Sequence, residues 1–346
     1  MNKTYVPNSP QAGFSLIELM IAMMLGLFLI GGVVSVFLSN RAVYRQNENL
    51  SRMQESARYA FEVIARDLRE AGGIPCGSNL PTANVLLGAG TTWWANWGEG
   101  LHGYEGTEVL PAKAIGTSTA SRVSGTDAVA ILSGTAFNGT TVTDHNPTAA
   151  EFKVNTTEHE IVDGDVILVC DFKQAAIFQT TNANSSNVTI VHNTGGSQSP
   201  GNCSKGLGVK PDLSTDCSST NGTSYSFEDG GILTKLSSNA WYIGYNSRGG
   251  KSLYKVKMFN SGGNAITQAD EVAEGITDMQ LQYLAKDASG NLASDYVDAT
   301  SITDWKLVVA IRLVFTLQSL ENVATGAAQP LTRTWNATIT VRNRQS

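Results

Sequence analysis

The sequence predicts an α+β protein: a long N-terminal helix, membrane-spanning over its first half, whose second half packs on an antiparallel β-sheet with large loop and strand insertions. Three observations carry this. From Phe14 to Leu38 the chain is apolar and holds one ionisable side chain, Glu18. From Asn40 to Ala71 it has neither proline nor glycine and repeats apolar residues every three or four positions. Beyond residue 127, short apolar or alternating runs are separated by glycine, asparagine and serine, which is the pattern of strands and turns.

The apolar run comes first. As a helix it would extend ~37 Å, against a hydrocarbon core of ~30 Å, so it is long enough to cross a bilayer. No Ala-x-Ala cleavage signal follows it, and the helical pattern simply continues. Leu50, Met53, Ala57, Phe61, Ile64 and Leu68 form one apolar face, and Glu62, Arg66 and Glu70 are successive i,i+4 partners beside it. Gly72, Gly73 and Pro75 supply the stop. A carboxylate inside an apolar span costs roughly 2.5–3.5 kcal/mol at the bilayer centre, so Glu18 calls for a cationic partner.

The remaining residues of the 346 are enough for one large soluble head or two small ones. Charge is low at 16%, and the net value of −6 with dispersed Lys and Arg leaves no footprint for nucleic acid. Cys76, Cys170, Cys203 and Cys217 all follow the span. The leader carries Lys3 and no acid, which favours a cytoplasmic N-terminus and a head in an oxidising compartment. Of the three pairings that four cysteines allow, the expected one joins Cys203 to Cys217 across a polar loop and Cys76 to Cys170 from the helix end to a strand. No C-x-x-C pair is present, and no metal site is expected.

Residues 76–125 lack periodicity and contain Trp93, Trp94 and Trp97, expected to pack an irregular loop on the core or else to form a contact surface. Gly98 to Gly103 matches G-x-G-x-x-G in form only: no strand precedes it, no helix follows, and Glu99 would repel a pyrophosphate. Strands are expected in DAVAILSG, in VILVC and AAIFQ as a hairpin, and in NVTIVHN; residues 193–225 are a long loop. AWYIGYN, SLYKVKMF and DMQLQYLA are three more strands, separated by RGGKS and by a glycine-asparagine stretch. Last come Leu307 to Leu317 and Trp335 to Val341, whose strict alternation predicts antiparallel strands with one buried face, expected to cover the helix between Leu50 and Leu68.

The head of the helix, Gly13 followed by FSLIELMIAMML, resembles the processing and anchoring signature of type IV pilins and of type II secretion pseudopilins. EVAEGITDMQLQYL, the DW at 304 and 305, KLVVAIRLVF, TVRNR and ESARYAFEVIARDLREAG are similar to the PilW group of minor pilins. The resemblance implies the type IV pilin fold, with a leader peptide at 1–13, a transmembrane and assembly half at 14–38, an amphipathic half at 39–71 and a β-rich head at 72–346. It implies cleavage after Gly13 by a prepilin peptidase, N-methylation of Phe14, and a role for Glu18 in subunit assembly. It implies an inner-membrane anchor with a periplasmic head, later at the pilus or cell surface, and as partners other minor and major pilins and the pilus assembly machinery. A secretion pseudopilin, or a tip module for adhesion or DNA uptake, are the alternatives.

Nothing organises a catalytic constellation, and no cofactor is expected. His102, His145, His159 and His192 are scattered through loop-like sequence, with neither a G-x-S-x-G elbow nor H-E-x-x-H. Asp287, Ser289, Asn291 and Asp295 offer oxygens at alternate positions, but Leu292 stands where a calcium loop wants glycine, so a polar turn is expected.

Overall fold

A computed structural model describes residues 13–98, 100–134, 138–227, 229–322 and 329–344. The chain divides into two compact units, Met1–Arg52 with Leu320–Leu331, and Met53–Ser319 with Thr332–Ser346. One long apolar helix is packed with several antiparallel sheets, an α+β arrangement consistent with a pilin-like fold.

Helix α1 spans Leu16–Glu70, 55 residues. It ends as its sequence requires. Gly72 takes φ 67°, a left-handed conformation that glycine adopts without steric cost, and the Gly73 N–H donates to the Glu70 carbonyl. Gly100 sits so close that a Cβ there would meet the Gly72 Cα at 2.4 Å. The helix end thus abuts backbone on a side where no side chain fits.

The strands are β1 Thr82–Asn84, β2 Leu101–Tyr104, β3 Ala128–Ser133, β4 Val142–Asn146, β5 Glu151–Val154, β6 Val166–Cys170, β7 Ala175–Gln179 and β8 Asn182–Ala183. They continue with β9 Thr189–Val191, β10 Ile232–Lys235, β11 Ser237–Tyr245, β12 Lys251–Ser261, β13 Asn264–Glu274, β14 Ile276–Ala285, β15 Val308–Asn322 and β16 Pro330–Thr340. They form sheets in the orders β13-β12-β11-β3-β2, β1-β7-β6-β10, β4-β5-β9-β8 and β14-β15-β16. The β6–β7 hairpin forms with Val166 opposite Gln179.

Two expectations need correction. The glycine-asparagine stretch before β14 is not a simple separator: Gly262 and Gly263, at φ 59° and 89°, make a tight turn into β13, an eleven-residue strand paired along β12. β13 is polar and largely exposed, so it lacks the apolar alternation that marks a buried strand. The second half of α1 makes side-chain bonds to two sheets: Asp67 accepts from Trp241 Nε1 at 3.0 Å and lies 2.8 Å from Lys255 Nζ in the five-stranded sheet, and Arg45 donates to Glu321 of β15 at 3.2 Å. Two of the histidines are not loop residues, since His102 lies in β2 and His145 in β4, and although His159 and His192 lie outside the strands, they are buried, as is His145.

Of the expected helix face, Met53, Ala57, Ile64 and Leu68 are buried, joined by Ala60 and Ala65, whereas Leu50 and Phe61 are half-buried. In β15, Val309, Ile311, Leu313, Phe315 and Leu317 are buried while Arg312 is exposed. Trp94 is buried, and Trp93 and Trp97 pack half-buried beside Ile74, Leu86, Val166, Leu168 and Ile177. That cluster therefore closes its loop over the core.

Candidate assembly site at the helix head

The first turn of α1 is built by its own sequence. Ser15 precedes the first helical residue, and its Oγ lies 3.3 Å from the Glu18 amide it accepts from. Glu18 Oε2 accepts in return from the Ser15 N–H at 3.0 Å. This reciprocal pair is a capping box, which satisfies two donors that every helix N-terminus leaves open. A carboxylate here also complements the positive end of the helix. Ser15 was legible only as an interruption of the apolar run, yet S-x-x-E ahead of apolar residues is itself a helix-start signal.

Upstream of the cap the chain makes no demand on residue identity. A Cβ at Gly13 would meet nothing within 4 Å, and the same holds at Gly26, Gly31 and Gly32. Phe14 is 91% exposed. Downstream, Leu16, Ile17, Leu19, Met20, Ile21, Met23 and Met24 are all exposed, and α1 is long and apolar enough to cross a membrane. Residues 1–12 of the expected leader lie outside the described residues.

The remaining singled-out residues lie elsewhere. Cys76 is bonded to Cys170 and Cys203 to Cys217, with Cα atoms 5.9 and 5.3 Å apart. The first bond ties the segment after the helix to β6 across 94 residues, and the second closes the long polar loop. Asp287 accepts from the amides of Ser289 and Asn291, so the suspected calcium ligands form a self-satisfied turn. Among the described residues no group of three His, Cys, Asp or Glu is placed to hold a metal.

Residues 8–34 match the family model described as Prokaryotic N-terminal methylation motif, and residues 240–345 match that of Type IV Pilus-assembly protein W. Together the two matches support a type IV pilin of the PilW type. They indicate a minor pilin involved in type IV pilus assembly. The methylation-motif match overlies the cap, Glu18 and the apolar half of α1, which accords with a membrane-anchored pilin. The second match begins in β11 and takes in all of β12 to β16, so this PilW-type chain carries its family signal at both ends. No curated protein and no solved structure matches the chain.

Proposed function

We propose that this minor pilin is cleaved after Gly13 by a prepilin peptidase, methylated on the freed amine of Phe14, and held by residues 14–38 in the inner membrane with its head, residues 72–346, in the periplasm. From there it joins other minor and major pilins through the assembly machinery and works in the priming complex or at the pilus tip. The observation that supports this most is at the helix head. Among the described residues nothing within 4 Å of a Cβ at position 13 demands glycine there, and Glu18 is the one acid from Phe14 to Leu38, the exposed apolar stretch of the helix. A protease that needs a small residue accounts for the first. An acid that must trade its intrachain cap for the Phe14 amine of a neighbour accounts for the second, because an unpaired carboxylate in lipid is costly.

The cap offers a test. Gln completes a capping box as Glu does, but carries no charge. Glu18→Gln and Glu18→Ala, each expressed in cells lacking the native copy, should both insert in the membrane and both fail to restore surface pili. Full piliation by Glu18→Gln, with failure of Glu18→Ala, would reduce Glu18 to a helix cap and overturn the pairing role.

A further inference from the structure

The five-stranded sheet has two unlike faces. One carries Trp241 and Lys255 toward Asp67 of α1. The other carries Ala128 and Ala130 of β3 and Ala240 of β11, packed with Leu110, Tyr242 and Tyr254. At the β2 end of that face lies a cleft of about 470 Å³, walled by Trp93, His102 and Tyr104, floored in part by Ala130 and rimmed by Thr91 and Asn96. Its volume falls in the ~300–1,000 Å³ range of small-ligand sites.

We propose that this cleft binds a saccharide of about two rings. The described residues that line it, Thr91, Trp93, Asn96, His102 and Tyr104 among them, offer aromatic surface with amide and hydroxyl groups. Aromatic rings receive the apolar C–H faces of a sugar, and amides and hydroxyls both donate to and accept from its hydroxyls. The Asn96 side chain is exposed and makes no hydrogen bond among the described residues, while the Thr91 hydroxyl, donating to the Gly88 carbonyl at 3.2 Å, keeps its lone pairs to accept. Trp93 is held half-buried by core residues, which fixes an aromatic platform in advance of binding. Such fixing lowers the entropy lost on association.

An extended peptide fits less well. It would need the open edge of β2, but the His102 ring packs 4.8 Å from that of Trp305, and Glu105, just past β2, accepts from the Ala299 amide at 2.6 Å. The strand edge is already covered.

The test uses full-length mature protein in a detergent without a sugar headgroup, titrated with cellobiose, lactose and N,N′-diacetylchitobiose while tryptophan fluorescence is followed and calorimetry run in parallel. At least one disaccharide should give saturable binding in the millimolar range or tighter. Trp93→Ala should weaken it about tenfold or more, whereas Trp97→Phe, outside the cleft, should leave it unchanged. Asn96→Ala, at an exposed position, serves if Trp93→Ala does not fold, and should also weaken it. No saturable binding by the three sugars, or binding indifferent to both cleft variants, would overturn the proposal. So would capture of an extended peptide that depends on Trp93. Surface pili in the Asn96→Ala strain should be as in wild type while Glu18→Gln loses them, which separates this failure from that of the assembly role.

Discussion

At the scale of single residues, the histidines show what a sequence conceals. His145 Nδ1 accepts from the Phe227 amide at 3.1 Å, so its proton sits on Nε2, which faces His192 Nε2 at 3.2 Å. His192 must then accept through Nε2 and carry its own proton on Nδ1. The pair is packed among Phe152, Phe178 and Phe227, and Asp144 and Lys205 are its charged neighbours. Burial pushes His145 down to about 4 and His192 to about 3, while burial of Asp127 pushes its carboxyl up to about 7. The two effects oppose each other. Below the ordinary histidine value the unfolded chain takes up protons that the folded pair refuses, so the pair makes stability rise with pH between about 4 and 6.5. Asp127 holds a proton in the fold that the unfolded chain has released, so its contribution is present at low pH and is lost as pH rises toward 7. Two histidines outweigh one carboxyl: the melting temperature of the full chain should climb from about pH 4.5 to 6.5, and climb more steeply in Asp127→Asn. A flat or falling profile would contradict this balance. None of it was legible beforehand, because partners 47 residues apart meet only through the pairing of β4, β5 and β9. Glu18 and Gly13, by contrast, stand out from the sequence alone, as the one acid within the apolar run from Phe14 to Leu38 and the glycine just ahead of it.

At the scale of elements, legibility followed the period. The 3.6-residue stripe of α1 marked out Met53, Ala57, Ile64 and Leu68, and the two-residue alternation of β15 marked out Ile311, Leu313, Phe315 and Leu317. β13 was missed because an exposed edge strand needs no apolar pattern, and the short β1, β4, β5 and β10 because a few residues carry too little of any period. One side-chain junction of helix and sheet was hidden for a different reason. Its bonds rest on Asp67, a charge buried to 8% exposure against Trp241 and Lys255, and charges are ordinarily read as outward-facing. Lys255 also lies over the Trp241 ring, 5.1 Å from its centroid. Removing that carboxylate leaves a buried indole N–H and an ammonium without their acceptor, so Asp67→Ala should destabilise the fold by about 1–3 kcal/mol, and Asp67→Asn, which still accepts from Trp241, by less. Urea unfolding of the solubilised chain measures both; equal stability of wild type and Asp67→Ala would contradict the anchoring.

At the scale of the whole molecule, the sequence announces its ends and withholds its middle. Residues 8–34 and 240–345 carry family patterns, whereas the region between them folds through pairings that join distant segments, such as β3 between β2 and β11 or β1 running parallel to β7. Disulfides then fasten the segment after the helix to the buried strand β6, Cys76 to Cys170, and close the polar loop of glycine, serine and asparagine, Cys203 to Cys217. The central claim concerns the opposite end: a helix whose first residues are shaped for proteolysis and then for a neighbour. The mass of the protein isolated from the membrane tests it most directly. A mature chain beginning at methylated Phe14, with Gly13→Leu left at precursor mass, is the predicted result; a chain that keeps Met1, or begins anywhere else, would contradict it.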